Sequence, residues 1–302
     1  MFPYLINKLE KKYSLYLIDS NPLVKEMYAN NTIFIVPLVK DNSYEDILTE
    51  IIIKYNIEFY IPLIDEEILK AINIASRTGI KTLCPTKEFV KMSLNKFDLM
   101  HELEKNGLSK IKTIMANNYD EDICYPIFLK PNIGRGSRGI RKINNGKEFN
   151  AYFILEDYLK DEILVQPFIE GDEYTVSVTV NNLNQIISII PKFVFVKDGI
   201  TKHAKSIKNK KIEDVCKKIV QKLKPRGSIN VQLKENNDGI FIFEINPRFS
   251  TTLVLSIESG VNEIDQNIMF YNKQNVKYIE HFRETVLIRR WENIFLQGAI
   301  NV

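Results

Sequence analysis

Two short runs near the carboxyl end of the chain constrain its fold most, because together they predict a β-hairpin with one apolar and one polar face. The runs are 228–234 and 240–246, and the polar residues between them, 235–239, predict a tight turn. Side chains alternate between the two faces of a strand, so Glu244 and Asn246 project to the same side. A tight turn allows a register that places Gln232 opposite Glu244. The expected apolar face then holds Ile229, Val231, Leu233, Phe241, Phe243 and Ile245.

The polar face of this hairpin has the chemistry of a magnesium site. One carboxylate, from Glu244, and two amide oxygens, from Gln232 and Asn246, make a sparse oxygen-only set of low charge. Mg²⁺ accepts such a set when substrate phosphates supply its remaining ligands. Pro247 ends the strand, and Arg248 follows where a developing phosphate charge needs a fixed cation. The solvated face of an amphipathic hairpin explains the same pattern, so this segment alone leaves both interpretations open.

Composition excludes several other classes of protein. A chain of 302 residues, 45% of them hydrophobic, can bury a core and favours two or three domains. The net charge of +3 is too small to indicate nucleic-acid binding. Cys84, Cys124 and Cys216 form no CxxC pair, which argues against a zinc site and a disulfide framework. No apolar stretch approaches the ~20 residues of a membrane helix, and no secretory signal is visible. We therefore expect a cytoplasmic enzyme without nucleic-acid or membrane partners.

Residues 1–87 alternate apolar runs with segments of helical spacing, which predicts a parallel sheet covered by helices, an α/β arrangement. The predicted strands are 15–19, 33–36, 59–63 and 81–84, and the predicted helices are 4–12, 44–55 and 66–77. No strand precedes the first helix, although the first strand of a doubly wound sheet is normally central. We expect a gap beside 15–19. Either the native chain starts upstream of Met1, which we favour, or another element fills the gap.

The rest of the chain has a different pattern. Residues 88–112 are predicted to be helical, with Gly107 as a C-cap, and 113–165 form a small α+β unit. Antiparallel strand patterns follow from Leu164 onward. Six lysines in this part form a basic run, which predicts a solvated loop and helix start or, as an alternative, an anion-attracting lid. The run consists of Lys197, Lys202, Lys205, Lys208, Lys210 and Lys211.

A glycine-rich loop, 134–139, satisfies the pattern G-x-G-x-x-G. As a dinucleotide fingerprint it would have to open a helix, but the residues after it, 140–143, predict a strand. A strand–loop–strand hairpin suits a flap whose backbone N–H groups close over phosphates. Lys130, at the end of the preceding strand, would reach the same phosphates as a point charge. A flexible surface turn is the other interpretation of this loop.

Three segments in this order, 128–139, 165–174 and 230–250, resemble the ATP-grasp superfamily. The resemblance is to single-unit proteins similar to one synthetase half of carbamoyl-phosphate synthase. It implies an N-terminal pre-ATP-grasp α/β domain, 1–87, and a two-lobed ATP-grasp domain with antiparallel sheets, 88–302. The implied lid lobe is about 113–165, the hinge is 166–169 and the metal-binding lobe is 170–302.

The resemblance also implies roles for individual residues. Arg248 and Lys130 are the expected catalytic residues, because they stabilise the phosphorylated intermediate and the transferred phosphate. The Mg²⁺ ligands are the three residues of the polar hairpin face, with one or two Mg²⁺ ions and Mn²⁺ as an alternative. The implied nucleotide-binding residues are Lys96, Lys130, Gly134, Gly136, Ser137, Gly139, Gln166, Phe168, Ile169 and Glu173. Gln166 departs from the usual Glu at the start of the hinge; its amide oxygen can still accept from the adenine amino group, but without the charge.

The activity that the resemblance implies is an ATP- and Mg²⁺-dependent ligation of a carboxylate to an amine, or to a thiol, through an acyl phosphate. The expected partners are small-molecule carboxylate and amine substrates, and a homodimer stays open. Two alternatives remain. One is a phosphotransferase that acts on a small carboxylate or carbamate and stops there; the other is a nucleotide-binding module without turnover. The chain has no second synthetase half and no glutaminase domain, which argues against synthesis of carbamoyl phosphate.

Overall fold

The α/β alternation at the start of the chain forms two small parallel sheets. The computed structural model describes residues 2–28, 30–120, 123–290, 293 and 295. Strand β1 pairs with β2, and β3 pairs with β4, both in parallel. Among the described strands β1 pairs only with β2, so its other edge is open; the upstream strand stays a prediction. The elements are α1 (Phe2–Leu9), β1 (Tyr16–Asp19), α2 (Val24–Met27), β2 (Thr32–Ile35), α3 (Tyr44–Lys54), β3 (Phe59–Tyr60), α4 (Asp65–Thr78) and β4 (Lys81–Thr82).

Two compact units divide the described residues. The chain up to Leu83 forms the first together with the described residues from Ile288 onward, and Cys84–Leu287 forms the second. In the first unit, α4 buries Ile68, Ala71 and Ile74 completely, as its helical spacing requires. The predicted domain limits, 1–87 and 88–302, stay predictions, and the chain ends at Met1 and after Arg290 lie largely outside the described residues.

The second unit begins with two helices, α5 (Lys87–Leu94) and α6 (Lys96–Lys105). Thr86 and Asn95 cap them, each accepting a backbone N–H of the first turn through its side-chain oxygen. The prediction that helix continues to residue 112 is wrong. The helix ends at Lys105 because Gly107 takes a φ of +68° and the N–H of Leu108 turns back to the carbonyl of Leu103.

A small antiparallel sheet follows, in the order β5-β8-β6-β7. Alternation along β6 and β8 sends Ile127, Leu129 and Val165 into a core under α7, whereas Lys130 and Gln166 lie on the opposite face. That face borders the cavity described below. The elements of this lobe are β5 (Ile114–Met115), β6 (Ile127–Pro131), β7 (Arg141–Ile143), α7 (Gly146–Leu155) and β8 (Ile163–Pro167).

The larger sheet is antiparallel and has the strand order β13-β12-β9-β10-β11-β14. One face packs on α5, α6 and α8 through buried residues such as Val176, Val231 and Ile219. The predicted combination of a parallel α/β region with antiparallel sheets is confirmed. The elements are β9 (Asp172–Val180), β10 (Ile186–Asp198), β11 (Ile200–Ser206), α8 (Lys210–Leu223), β12 (Ile229–Asn236), β13 (Gly239–Asn246), α9 (Leu253–Glu258), α10 (Glu263–Tyr271) and β14 (Val286–Ile288). Every described helix is too short or too polar to span a bilayer.

The hairpin β12–β13 has the predicted register at its functional end, where Gln232 lies opposite Glu244 and Asn230 lies opposite Asn246. The predicted alternation fails further along. The register shifts between Gln232 and Leu233, and Leu233 pairs with Ile242, which leaves Phe243 as the extra residue of a β-bulge.

The bulge exchanges the predicted faces of part of β13. Ile242, expected on the polar face, is completely buried in the core next to Ile245. Phe241 and Phe243, expected in the core, line the cavity together with Glu244. The reason is that one inserted residue changes the phase of a period-two pattern on one side of the insertion.

Candidate functional site

The two sheets of the second unit border a cavity of ≈ 580 Å³. Of the residues predicted from the sequence to form the site, all except Gly139 line it. Those residues come from motifs far apart in the chain, and the structure brings them together. The lining residues are Lys96, Lys130, Gly134, Gly136, Ser137, Gln166, Phe168, Ile169, Glu173, Gln232, Glu244, Asn246 and Arg248.

Lys130 is a buried cation at the edge of this cavity. Its side chain is 3% exposed, and its Nζ donates a hydrogen bond to the carbonyl oxygen of Phe243 at 2.8 Å. Burial lowers the pKa of Lys130 to about 8, because a charged ammonium is poorly solvated there. The negative charge of Glu244 raises that pKa, and the positive charge of Lys96 lowers it. Lys130 is therefore a cation whose charge depends on nearby anions, which a phosphate group would supply.

The polar face of the hairpin presents its oxygen atoms to the cavity. Glu244 contributes a carboxylate, and the amide oxygen Oε1 of Gln232 accepts from Lys197 Nζ at 3.0 Å. Among the described residues, no group of three or more His, Cys, Asp or Glu side chains is placed to hold a metal. This donor set therefore fits Mg²⁺ only with ligands from elsewhere, and a phosphate chain next to Lys130 and Arg248 would provide them.

The flap connects β6 to β7 and has left-handed backbone at several positions. Gly136 has a φ of +72° and Ser137 a φ of +59°, so this turn depends on residues that tolerate positive φ. Lys96, in the first turn of α6, donates from Nζ to the carbonyl oxygen of Gly134 at 2.7 Å. The root of the flap is thus tied to α6, while its tip borders the cavity.

Gly139 does not line the cavity, and its predicted role in nucleotide binding stays a prediction. It has a φ of +65°, and its carbonyl accepts from the Tyr152 hydroxyl at 2.6 Å. A Cβ at this position would lie 2.7 Å from the ring of Tyr158 and 2.9 Å from Pro131. Gly139 therefore holds the base of the flap against α7 and the segment that follows it.

Gly139→Ala is accordingly expected to destabilise the protein by about 2–4 kcal/mol, because it combines a left-handed backbone with a steric clash. Gly107→Ala is the matched control, since Gly107 has a φ of +68° but no atom within 4 Å of an added Cβ. The control should lose only about 1 kcal/mol. Chemical denaturation of both variants measures the difference, and equal losses would contradict the packing argument.

The predicted hinge also has internal partners. The backbone N–H of Phe168 donates to the carbonyl of Pro126 at 3.0 Å, and Lys234 Nζ donates to the carbonyl of Ile169 at 2.7 Å. Lys142 Nζ lies 4.1 Å from the centre of the Phe168 ring. These contacts fix the backbone and the aromatic ring at this side of the cavity.

Lys197 is a site residue that the sequence interpretation missed. Its Nζ lies 2.6 Å from Oε1 of Glu173 and also contacts Gln232, so one ammonium joins a predicted nucleotide-binding residue to a predicted metal ligand. The sequence predicted that Lys197 lies in a solvated loop and helix start or, as the alternative, in an anion-attracting lid. The residue belongs to β10, and Lys202 and Lys205 belong to β11. The alternation along β10 gave no usable signal for Lys197, because the register with β11 shifts between Val194 and Val196 and again between Val196 and Lys197.

Other cavity residues were not predicted either. Thr175 donates from its hydroxyl to Oδ1 of the buried Asn230 at 2.7 Å, next to the predicted metal ligands. Gly199, at the tip of the β10–β11 hairpin, lies close to the flap: an added Cβ would be 3.5 Å from the carbonyl oxygen of Gly136. The cavity is therefore bordered by two hairpin tips and not by the flap alone.

Two family models match the chain. Residues 2–83 match the family described as PylC-like, N-terminal domain. Residues 160–294 match the family described as ATP-grasp in the biosynthetic pathway with Ter operon. Together they cover the first unit and most of the segment that forms the larger sheet.

Curated relatives and solved structures agree with these matches. A D-alanine–D-alanine ligase of Petrotoga mobilis is 28% identical over 56% of this chain and 61% of that protein. A carbamoyl phosphate synthase large chain of Clostridium acetobutylicum is 22% identical over 68% of this chain and 21% of its own length. The chain thus spans less than two thirds of either relative. A biotin carboxylase from Campylobacter jejuni aligns with a TM-score of 0.77 at 15% identity, over 94% of this chain and 72% of that one.

The second unit, with a cavity bordered by a small and a large antiparallel sheet, shares its fold with this solved structure. The family model over residues 160–294 and the curated relatives show that the chain is similar to proteins of the ATP-grasp superfamily. The predicted resemblance is confirmed, including the similarity to the large chain of carbamoyl phosphate synthase.

Proposed function

We propose that this protein is an ATP- and Mg²⁺-dependent ligase that joins a carboxylate to an amine and releases ADP and phosphate. The observation that carries the proposal is that Lys130, Glu244 and Arg248, predicted from separate motifs, line one cavity. A cation, a metal ligand and a second cation are the groups that phosphoryl transfer to a carboxylate requires. The relative named D-alanine–D-alanine ligase supports this class of reaction.

In this proposal the triphosphate lies between the flap and the polar hairpin face. Lys130 and Lys96 contact phosphate oxygens, and the flap N–H groups cover them. Glu244, Gln232 and Asn246 would hold Mg²⁺, which supplies charge neutralisation at the phosphates when bound. Lys197 would then give up its hydrogen bond to Gln232 and contact the bound nucleotide instead.

The proposed reaction has two steps. A carboxylate oxygen of the substrate attacks the γ-phosphorus, the bond from that phosphorus to the β–γ bridging oxygen breaks, and ADP leaves. The amine nitrogen then attacks the acyl carbon of the acyl phosphate, phosphate leaves with the carbon–oxygen bond electrons, and the nitrogen loses a proton. Arg248 stabilises the charge on the transferred phosphoryl group in both steps. No protein nucleophile is required.

A matrix of amino acids and other small carboxylates against amines, with phosphate release as the readout, tests the proposal. Phosphate that appears only when both a carboxylate and an amine are present supports the ligase. Hydroxylamine should replace the amine and trap a hydroxamate. An acyl phosphate that accumulates whether or not an amine is present would identify a phosphotransferase. Nucleotide binding without any turnover would identify a binding module. Either of these results overturns the proposal.

The flap supplies a second prediction. Backbone amides of 132–140 are expected to exchange with deuterium more slowly when Mg-ATP is added, because phosphate contacts restrict a turn rich in glycine. The core of α8, 212–220, is the internal control and should not change, since it is buried in the large lobe. Equal flap exchange with and without Mg-ATP would argue against the phosphate cradle.

A further inference from the structure

The polar groups of the hinge are unequally available to a ligand. The N–H of Phe168 and the carbonyl of Ile169 are already engaged, by Pro126 and Lys234 respectively. Gln166, on the cavity face of β8, is 3% exposed and lines the cavity. Its side-chain amide has a donor and an acceptor of nearly equal size, so its orientation decides which one a ligand meets.

A short relay of hydrogen bonds determines that orientation. The Thr113 hydroxyl donates to the carbonyl oxygen of Ile111 at 3.1 Å. A hydroxyl has one proton, so Thr113 Oγ1 can then only accept from Gln166. Gln166 Nε2 does donate to Thr113 Oγ1, at 2.8 Å. The amide oxygen Oε1 is therefore turned away from Thr113, and no donor among the described residues contacts it.

We propose that Thr113 is a positioning residue that orients the Gln166 amide and thereby makes the cavity select 6-amino over 6-oxo purine nucleotides. An amide oxygen accepts from an amino group at C6 of a purine but repels a carbonyl oxygen there. In the reverse orientation the amide nitrogen would prefer the carbonyl. The inference rests on the proposed nucleotide binding and adds the residue that sets base preference.

ATP and ITP are the probes, because ATP has an amino group at C6 and ITP a carbonyl oxygen there, while both carry the same triphosphate. Wild-type protein is expected to bind ATP at least about tenfold more tightly than ITP, the value of one hydrogen bond exchanged for a repulsive contact. In Thr113→Val the Gln166 amide loses its hydrogen-bond acceptor and can reverse. The ratio of the affinity for ATP to the affinity for ITP should therefore fall about tenfold. Thr113→Ser retains the hydroxyl and should retain the ratio. Isothermal titration calorimetry measures both affinities.

A double variant separates orientation from general damage at the site. Gln166→Glu presents an oxygen in either orientation, so adding Thr113→Val to it should leave the ATP-to-ITP ratio unchanged. A ratio that is the same in wild type and Thr113→Val, while both bind ATP, overturns the inference and leaves the proposed function standing. A wild-type protein that binds neither nucleotide overturns the proposed function itself.

Discussion

Replacement of Glu244 by alanine is expected to lower turnover by about a thousandfold, the loss typical of removing a group that stabilises charge in the transition state. The physical reason is that Glu244 is the one carboxylate among the predicted metal ligands, and two neutral amides alone bind a divalent cation weakly. Its loss would also deprive Lys130 of the negative charge that raises its pKa. Steady-state kinetics over a range of Mg²⁺ concentrations is the measurement, and Glu244→Ala should require much more Mg²⁺ for half-maximal rate.

The same hairpin provides a matched control for this experiment. Asp238 is an exposed carboxylate in the turn between β12 and β13, so Asp238→Ala changes the net charge equally without touching the cavity. Both variants should retain the wild-type melting temperature, because neither side chain belongs to the buried core. Turnover of Glu244→Ala within a few-fold of wild type would refute the assignment of the metal face.

Lys130→Met is expected to weaken ATP binding by about 1–3 kcal/mol, the range for a lost charge-assisted hydrogen bond. The pKa of Lys130, about 8 in the folded protein, adds a pH dependence to this contact. Below pH 8 the ammonium is charged and ready to bind phosphate. Above pH 8 the amine of Lys130 is largely neutral in the free protein, and it must take up a proton from the solvent when ATP binds. ATP affinity should therefore fall as the pH rises, and binding should be accompanied by proton uptake.

Calorimetry at pH 9 in two buffers of different ionisation enthalpy measures this proton uptake. Wild-type protein should take up a proton on binding, and Lys130→Arg should not, since arginine stays charged at both pH values. Lys147→Met, on the exposed surface of the same lobe, is the control for a general loss of positive charge. Unchanged ATP affinity in Lys130→Met together with a lower melting temperature would indicate a structural role instead.

The lowered pKa of Lys130 also makes the free energy of unfolding depend on pH. The folded-state pKa of Lys130 lies below the ordinary lysine value of 10.5, so the unfolded chain binds more protons between pH 8 and 10.5. The contribution of Lys130 to the free energy of unfolding of the ligand-free protein therefore rises with pH in that window. Below pH 8 the buried charge is a constant cost, which a bound phosphate offsets.

Sequence periodicity was sufficient to predict the polar hairpin face of the candidate site, whereas the hinge residues were implied only by the family resemblance. A period of two residues placed Glu244 and Asn246 on one face, and a short turn set their register against Gln232, because both properties depend only on residues close together in the chain. The order of the three motifs then indicated the ATP-grasp superfamily. The position of Lys130 beside the glycine loop followed from the same local pattern.

The tertiary structure decided what depends on partners distant in the chain. The β-bulge that turns Phe243 into the cavity arises where β13 pairs with β12, and no alternation within β13 reveals it. Thr113 and Gln166 are 53 residues apart, and their contact exists only because β5 and β8 are neighbours in the small sheet. Lys197 likewise reaches Glu173 and Gln232 from a third strand. Local sequence thus determined which side chains share a face of a strand, whereas strand pairing determined which of those faces meet, because hydrogen bonds between strands join residues that the sequence keeps apart.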